Sequence, residues 1–135
     1  MKTLKLTIDG KTFTADVFED KAPKIVAALE ALGKFDSRLI SAKICNEEIY
    51  YPTNAFVDEM ENPFYDQEPG NIGFFPKRQC ICIFYGQLDA VGFCNVFAKI
   101  REEELTDFYQ IAKQVWHKQG GIITTEFVTE GGEAK

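Results

Sequence analysis

An Asp-Gly pair between two alternating runs, followed at once by a change of hydrophobic period, constrains this chain more than any other feature. Leu4, Leu6 and Ile8 alternate with Thr3, Lys5 and Thr7, and beyond Asp9-Gly10 the stretch Lys11 to Phe18 sets Phe13, Ala15 and Val17 on one face. Two residues that tolerate positive φ between runs of period two predict a β-hairpin. Ala22, Ile25, Val26, Leu29 and Leu32 then recur at helical spacing, with Pro23 suited to a first turn and Gly33 to a C-terminal cap. Strand patterns return over Arg38 to Ile44, Glu48 to Tyr51, Ile72 to Phe75, Cys80 to Tyr85 and Phe93 to Ile100. A second helix is expected from a cap near Thr106, with Leu105, Phe108, Ile111, Ala112 and Val115 as its apolar stripe, stopped by Gly120-Gly121. Ile122 to Val128 reads as a last strand. The sum is about eight strands and two helices in the order β-β-α-β…β-α-β. The fold class this predicts is mainly β: a closed antiparallel barrel with a helix at each end.

Size and charge then remove whole classes of function. The chain has 135 residues, which fits one domain over residues 1–128 with a polar tail from 129 to 135. The net charge of −6 disfavours phosphate backbones and anionic membranes, so neither nucleic acid nor a membrane is expected as a partner. Met1-Lys2-Thr3 runs straight into the first strand pattern with no signal-peptide character, so the expected location is cytoplasmic. One histidine, His117, excludes multi-histidine metal sites within one chain, and only Ser37 and Ser41 are available for a serine triad. The cysteines Cys45, Cys80, Cys82 and Cys94 form no C-x-x-C pair and are expected to be reduced and mostly buried, without a metal. No G-x-G-x-x-G or P-loop spacing is present, and no cofactor is expected.

Two acidic stretches stand out. Glu47, Glu48, Tyr50 and Tyr51 share one strand, and alternation groups Glu48 with Tyr50 and Glu47 with Ile49 and Tyr51. If one face is core, one carboxylate must point inward. The loop from Asp58 to Glu68 carries five carboxylates but lacks the spacing of a calcium loop, so it reads as a solvated segment. His117 falls off the apolar stripe, as a surface imidazole at a helix end.

Several of these stretches, taken in order, resemble the cyclophilin family. Ala22-Pro23-Lys24-Ile25-Val26 is similar to the opening of the first cyclophilin helix, and Val96-Phe97-Ala98-Lys99-Ile100 to a characteristic strand. The resemblance is closer to a group of uncharacterised bacterial and archaeal cyclophilin-like proteins. It is carried by Glu47-Glu48-Ile49-Tyr50-Tyr51, Met60-Glu61-Asn62-Pro63, Pro69-Gly70-Asn71-Ile72-Gly73-Phe74-Phe75-Pro76, Cys82-Ile83-Phe84-Tyr85-Gly86 and Asn95-Val96-Phe97. That resemblance implies a cyclophilin-like barrel.

For prolyl isomerisation, the resemblance places the amide-polarising arginine at Arg38 and the glutamine position at Asn46. Lys43 stands where the family has a pocket phenylalanine, and Asp89 to Cys94 supply no counterpart to the pocket tryptophan and histidine. Arg38, Ile44 and Asn46 share one face only if their strand runs without a bulge. The leading expectation is therefore a module binding a small molecule or peptide near Glu48, Tyr50, Phe75, Phe84 and Asn95, without efficient isomerase activity. A weak isomerase using Arg38 and Asn46 is the second reading, and an interaction domain using its acidic loop the third.

Overall fold

Asp9 and Gly10 both take positive φ, 53° and 81°, and close the hairpin between β1 (Lys2–Ile8) and β2 (Lys11–Val17). The computed structural model describes residues 2–64, 67–89 and 94–129. Phe93, Asp66 and the tail beyond Thr129, all named in the expectations above, lie outside these. Helix α1 (Pro23–Glu30) follows, with Pro23 in its first turn and Gly33 at a φ of 70° just beyond its end. Next come β3 (Phe35–Arg38), β4 (Ile40–Ser41), β5 (Asn46–Pro52), β6 (Pro63–Phe64), β7 (Asn71–Phe75), β8 (Cys80–Leu88) and β9 (Cys94–Ile100). Helix α2 (Leu105–His117) and β10 (Ile122–Thr129) come last among the described residues.

All pairings are antiparallel, in the order β3-β10-β1-β2-β9-β7-β8-β5-β4, with the short β6 attached to β9. The architecture is a nearly closed barrel of nine strands plus two helices, one strand more than the pattern count. β3 also packs beside β5, bringing the two ends of the sheet together. One large core fills the interior. Leu4, Leu6, Ile49, Tyr51, Phe74, Ile83 and Phe97 come from the strands, Ile25 and Leu29 from α1, and Phe108 and Ala112 from α2. No helix among the described residues is long and apolar enough to cross a membrane.

Three local expectations are corrected. The single strand expected over Arg38 to Ile44 is divided: β3 pairs with β10, β4 pairs with β5, and Lys43–Cys45 forms a 3-10 turn. Asn46 follows at a φ of 73°, with a register shift between Asn46 and Glu48, so the parity linking Arg38, Ile44 and Asn46 is lost. The second helix begins at Leu105 rather than behind a Thr106 cap. Glu102–Glu104 wind into a 3-10 turn, and the Glu104 carboxylate accepts from the Thr14 backbone N–H at 2.6 Å.

The acidic loop is also more than a solvated run. Glu61 accepts the backbone N–H groups of Lys24 and Ile25 at 3.0 and 2.8 Å, capping α1 from outside because Ala22 has no side chain able to do so.

Candidate functional site

Strand alternation gives β5 and β8 two chemically different faces. Ile49 and Tyr51 on β5, with Ile81, Ile83 and Tyr85 on β8, join the barrel core. Cys80, Cys82 and Phe84 point the other way and form a second small cluster with Cys94, against which Tyr50, Phe75 and Leu88 pack. Glu48 belongs to this second face, since it lies opposite Phe84 and two residues from Tyr50, itself opposite Cys82. The 3-10 turns over Lys43–Cys45 and Pro76–Arg78 flank it.

Between them lies a cleft of about 200 Å³. Ala42, Ile44, Tyr50 and Phe75 form its apolar walls, Cys45, Cys80 and Cys82 supply thiols, and Glu48 and Arg78 bring opposite charges. Ile44 is 78% exposed at the rim, whereas Glu48 is 3% exposed. The Oε1 atom of Glu48 is buried and has no hydrogen-bond partner among the described residues. Burial pushes the Glu48 carboxyl above its ordinary range, and this outweighs the opposing pull of the Cys45 and Cys82 thiols bonded to it and of the Arg78 guanidinium. Burial also raises the Cys82 thiol well above its usual value, while a bond with Cys82 holds Cys80 lower. None of the four cysteines forms a disulfide among the described residues, and Cys45 is the partly exposed one. No cluster with metal-holding geometry occurs among the described residues.

The neighbouring carboxylate has a different environment. Glu47 shares the core-facing parity of Ile49 and Tyr51 but lies where α2 crosses β5 and β8. Its Oε2 accepts from the Tyr109 hydroxyl at 2.5 Å and Lys113 Nζ at 2.9 Å, and its Oε1 accepts from the Gln87 backbone N–H at 2.7 Å. Burial alone would raise this carboxyl, but the three donors and the Lys113 charge together lower it. The carboxylate fits because residue 86 is glycine: a Cβ there would stand 2.1 Å from Glu47 Oε1. Both glutamates are therefore buried, on opposite faces of one strand. The link to Tyr109 and Lys113 was missed in the sequence, although their i, i+4 spacing on α2 places them side by side.

Of the residues expected to form a site, Glu48, Tyr50 and Phe75 line the cleft, and Phe84 lies in the thiol cluster beside it. Asn95 lines no part of it. Its Oδ1 accepts from the Glu61 backbone N–H and its amide donates to the Glu59 carbonyl, so it tethers the acidic loop to β9. Arg38 is exposed and donates to the Gly120 carbonyl at 2.8 Å. Asn46 opens β5 opposite Leu88, on a different strand from Arg38. Lys43 and Lys113 both lie against the Trp116 ring, 5.3 and 4.6 Å from its centroid. His117 is exposed at the end of α2. A larger hollow of about 580 Å³ lies near Leu39, Gly120 and Gly121, but its polar side chains Asp9, Gln114, Lys118 and Gln119 are all exposed. The smaller cleft, with its buried charge, is therefore the better candidate.

Comparison with known proteins places this geometry in context. The fold is similar to that of McbB, solved in complex with tryptophan, with a TM-score of 0.75 and 17% identity. That match covers 100% of this chain but 46% of McbB, so this chain spans less than half of that protein's length. It is also similar to the hypothetical protein AF2241 from Archaeoglobus fulgidus, with a TM-score of 0.66 and 20% identity over 93% of each chain. No match is found among curated proteins. Residues 2–114 match the family model described as Cyclophilin-like, and the chain belongs to that family.

Proposed function

We propose that this chain is a binding module that takes a small molecule, or the apolar side chain of a peptide, in the cleft around Glu48, and that it is not an efficient prolyl isomerase. The observation carrying this reading is the buried Glu48 Oε1, without a hydrogen-bond partner among the described residues, in a cleft whose walls are mainly apolar and which also holds Arg78. Leaving such an oxygen unsatisfied costs about 1–3 kcal/mol, and groups of this kind concentrate where a ligand completes the bonding. The tryptophan bound by the similarly folded McbB supports a small-molecule ligand. The position of Arg38, on another strand from Asn46 and engaged with Gly120, supports binding without catalysis.

The test is NMR on isotope-labelled protein titrated with a proline-containing peptide and, separately, with tryptophan. The expected result is a set of amide shifts centred on Glu48, Tyr50 and Phe75, abolished in Glu48→Gln, with no faster cis-trans exchange in the peptide. Accelerated exchange that disappears in Arg38→Ala would make the chain an isomerase instead. Absence of shifts with either probe would overturn the cleft reading.

A further inference from the structure

The Glu48 cleft carries one charge of each sign, and their placement narrows the ligand. Glu48 lies at the buried end, on β5, with an oxygen lacking any donor among the described residues. Arg78 is exposed on the turn that closes the opposite side, near enough to exert an electrostatic pull on both Glu48 and Cys80. Tyr50, Phe75 and Ile44 provide apolar surface in the same lining. A buried carboxylate oxygen without a donor selects an N–H group, best a cationic one, because a charge-assisted bond offsets the cost of burying the ion. A guanidinium at the mouth selects a carboxylate by paired N–H donors. The volume, about 200 Å³, is below the roughly 300 Å³ at which pockets for drug-sized ligands begin. A small amphoteric molecule fits these limits, and a long peptide segment does not.

Resting on the binding reading above, we infer that the ligand is a small amphoteric molecule of the α-amino acid type, its ammonium on Glu48, its carboxylate on Arg78 and its apolar side chain against Tyr50 and Phe75. Ammonium binding stabilises the ionised form of Glu48, so a fraction of the protein releases a proton as it binds. Affinity therefore rises with pH through the range in which the free carboxyl ionises.

Three probes sharing a phenyl ring on a two-carbon chain separate the contributions: L-phenylalanine with both charges, phenethylamine with the ammonium alone and 3-phenylpropionate with the carboxylate alone. Each is titrated into the full chain and followed by calorimetry and amide shifts. L-phenylalanine is expected to bind at least about tenfold more tightly than either single-charge probe, a factor of ten being about 1.4 kcal/mol. Glu48→Gln should weaken L-phenylalanine and phenethylamine while sparing 3-phenylpropionate, and Arg78→Met should show the converse selectivity. Equal affinity for L-phenylalanine and phenethylamine, with no effect of Arg78→Met, would overturn the amphoteric assignment and leave a cation site that still satisfies the binding reading. Cleft shifts with the proline-containing peptide but none with L-phenylalanine would likewise remove the ligand class alone. Silence from all probes removes both.

Discussion

Glu47 and Glu48 are adjacent in sequence and opposite in electrostatic character, and this opposition is measurable. Glu47 has three donors and a folded-state pKa below its reference of 4.5, so the stability it contributes is present above that value and lost as pH falls through the folded pKa. Glu48 has a folded-state pKa above 4.5, so its contribution is full below 4.5 and lost as pH rises through the folded value. Thermal unfolding at pH 7 should therefore show Glu47→Gln lowering the midpoint by about 3–6 °C and Glu48→Gln raising it by about 2–4 °C. The Glu48 difference should shrink toward zero once pH falls below the reference value of 4.5, and the Glu47 difference only once pH falls through its lowered folded-state value. Effects of the same sign would contradict the environments described. The sequence revealed the alternation that separates the two glutamates, because period two is a backbone property. It did not reveal that both are buried, because two of the three partners of Glu47 arrive on α2, more than sixty residues later.

At the scale of elements, the acidic loop works as a clamp. Asn95 on β9 holds Glu61 through its backbone, and the Glu61 side chain holds the first turn of α1. Asn95→Ala removes a buried amide and should cost about 1–3 kcal/mol. Amide exchange should accelerate most at Lys24 and Ile25, far from the substitution in sequence, and little in β1 or β10. Uniform acceleration would mean that Asn95 acts only on global stability. The hairpin, both helices and the apolar strands were legible because turn chemistry and hydrophobic period are local signals. The clamp was not legible: a carboxylate that caps a distant helix looks, in sequence, like any charge on a loop. The division of the expected Arg38–Ile44 strand was hidden for a similar reason, since which neighbour each half pairs with is decided by barrel closure.

The whole molecule is held across the seam of its barrel as well as around its wall. Tyr51 on β5 and Thr125 on β10 lie on either side of the seam where β3 packs beside β5, and the Thr125 hydroxyl donates to Tyr51 Oη at 3.0 Å inside the core. Tyr51→Phe should cost about 1–2 kcal/mol in denaturant unfolding, and adding Thr125→Val should recover part of that loss, since removing both polar partners strands neither. Simple additivity would show that the bond carries no coupling. The same wall has a consequence for how such a chain can change. Along β5 and β8, Ile49, Tyr51, Ile81 and Ile83 serve folding, while Glu48, Tyr50, Cys80 and Cys82 face the cleft. Because the two sets interleave without sharing a surface, substitutions in the second would, on the binding reading proposed above, retune what is recognised while the first keeps the barrel standing. On that reading, recognition in this scaffold drifts one alternate position at a time.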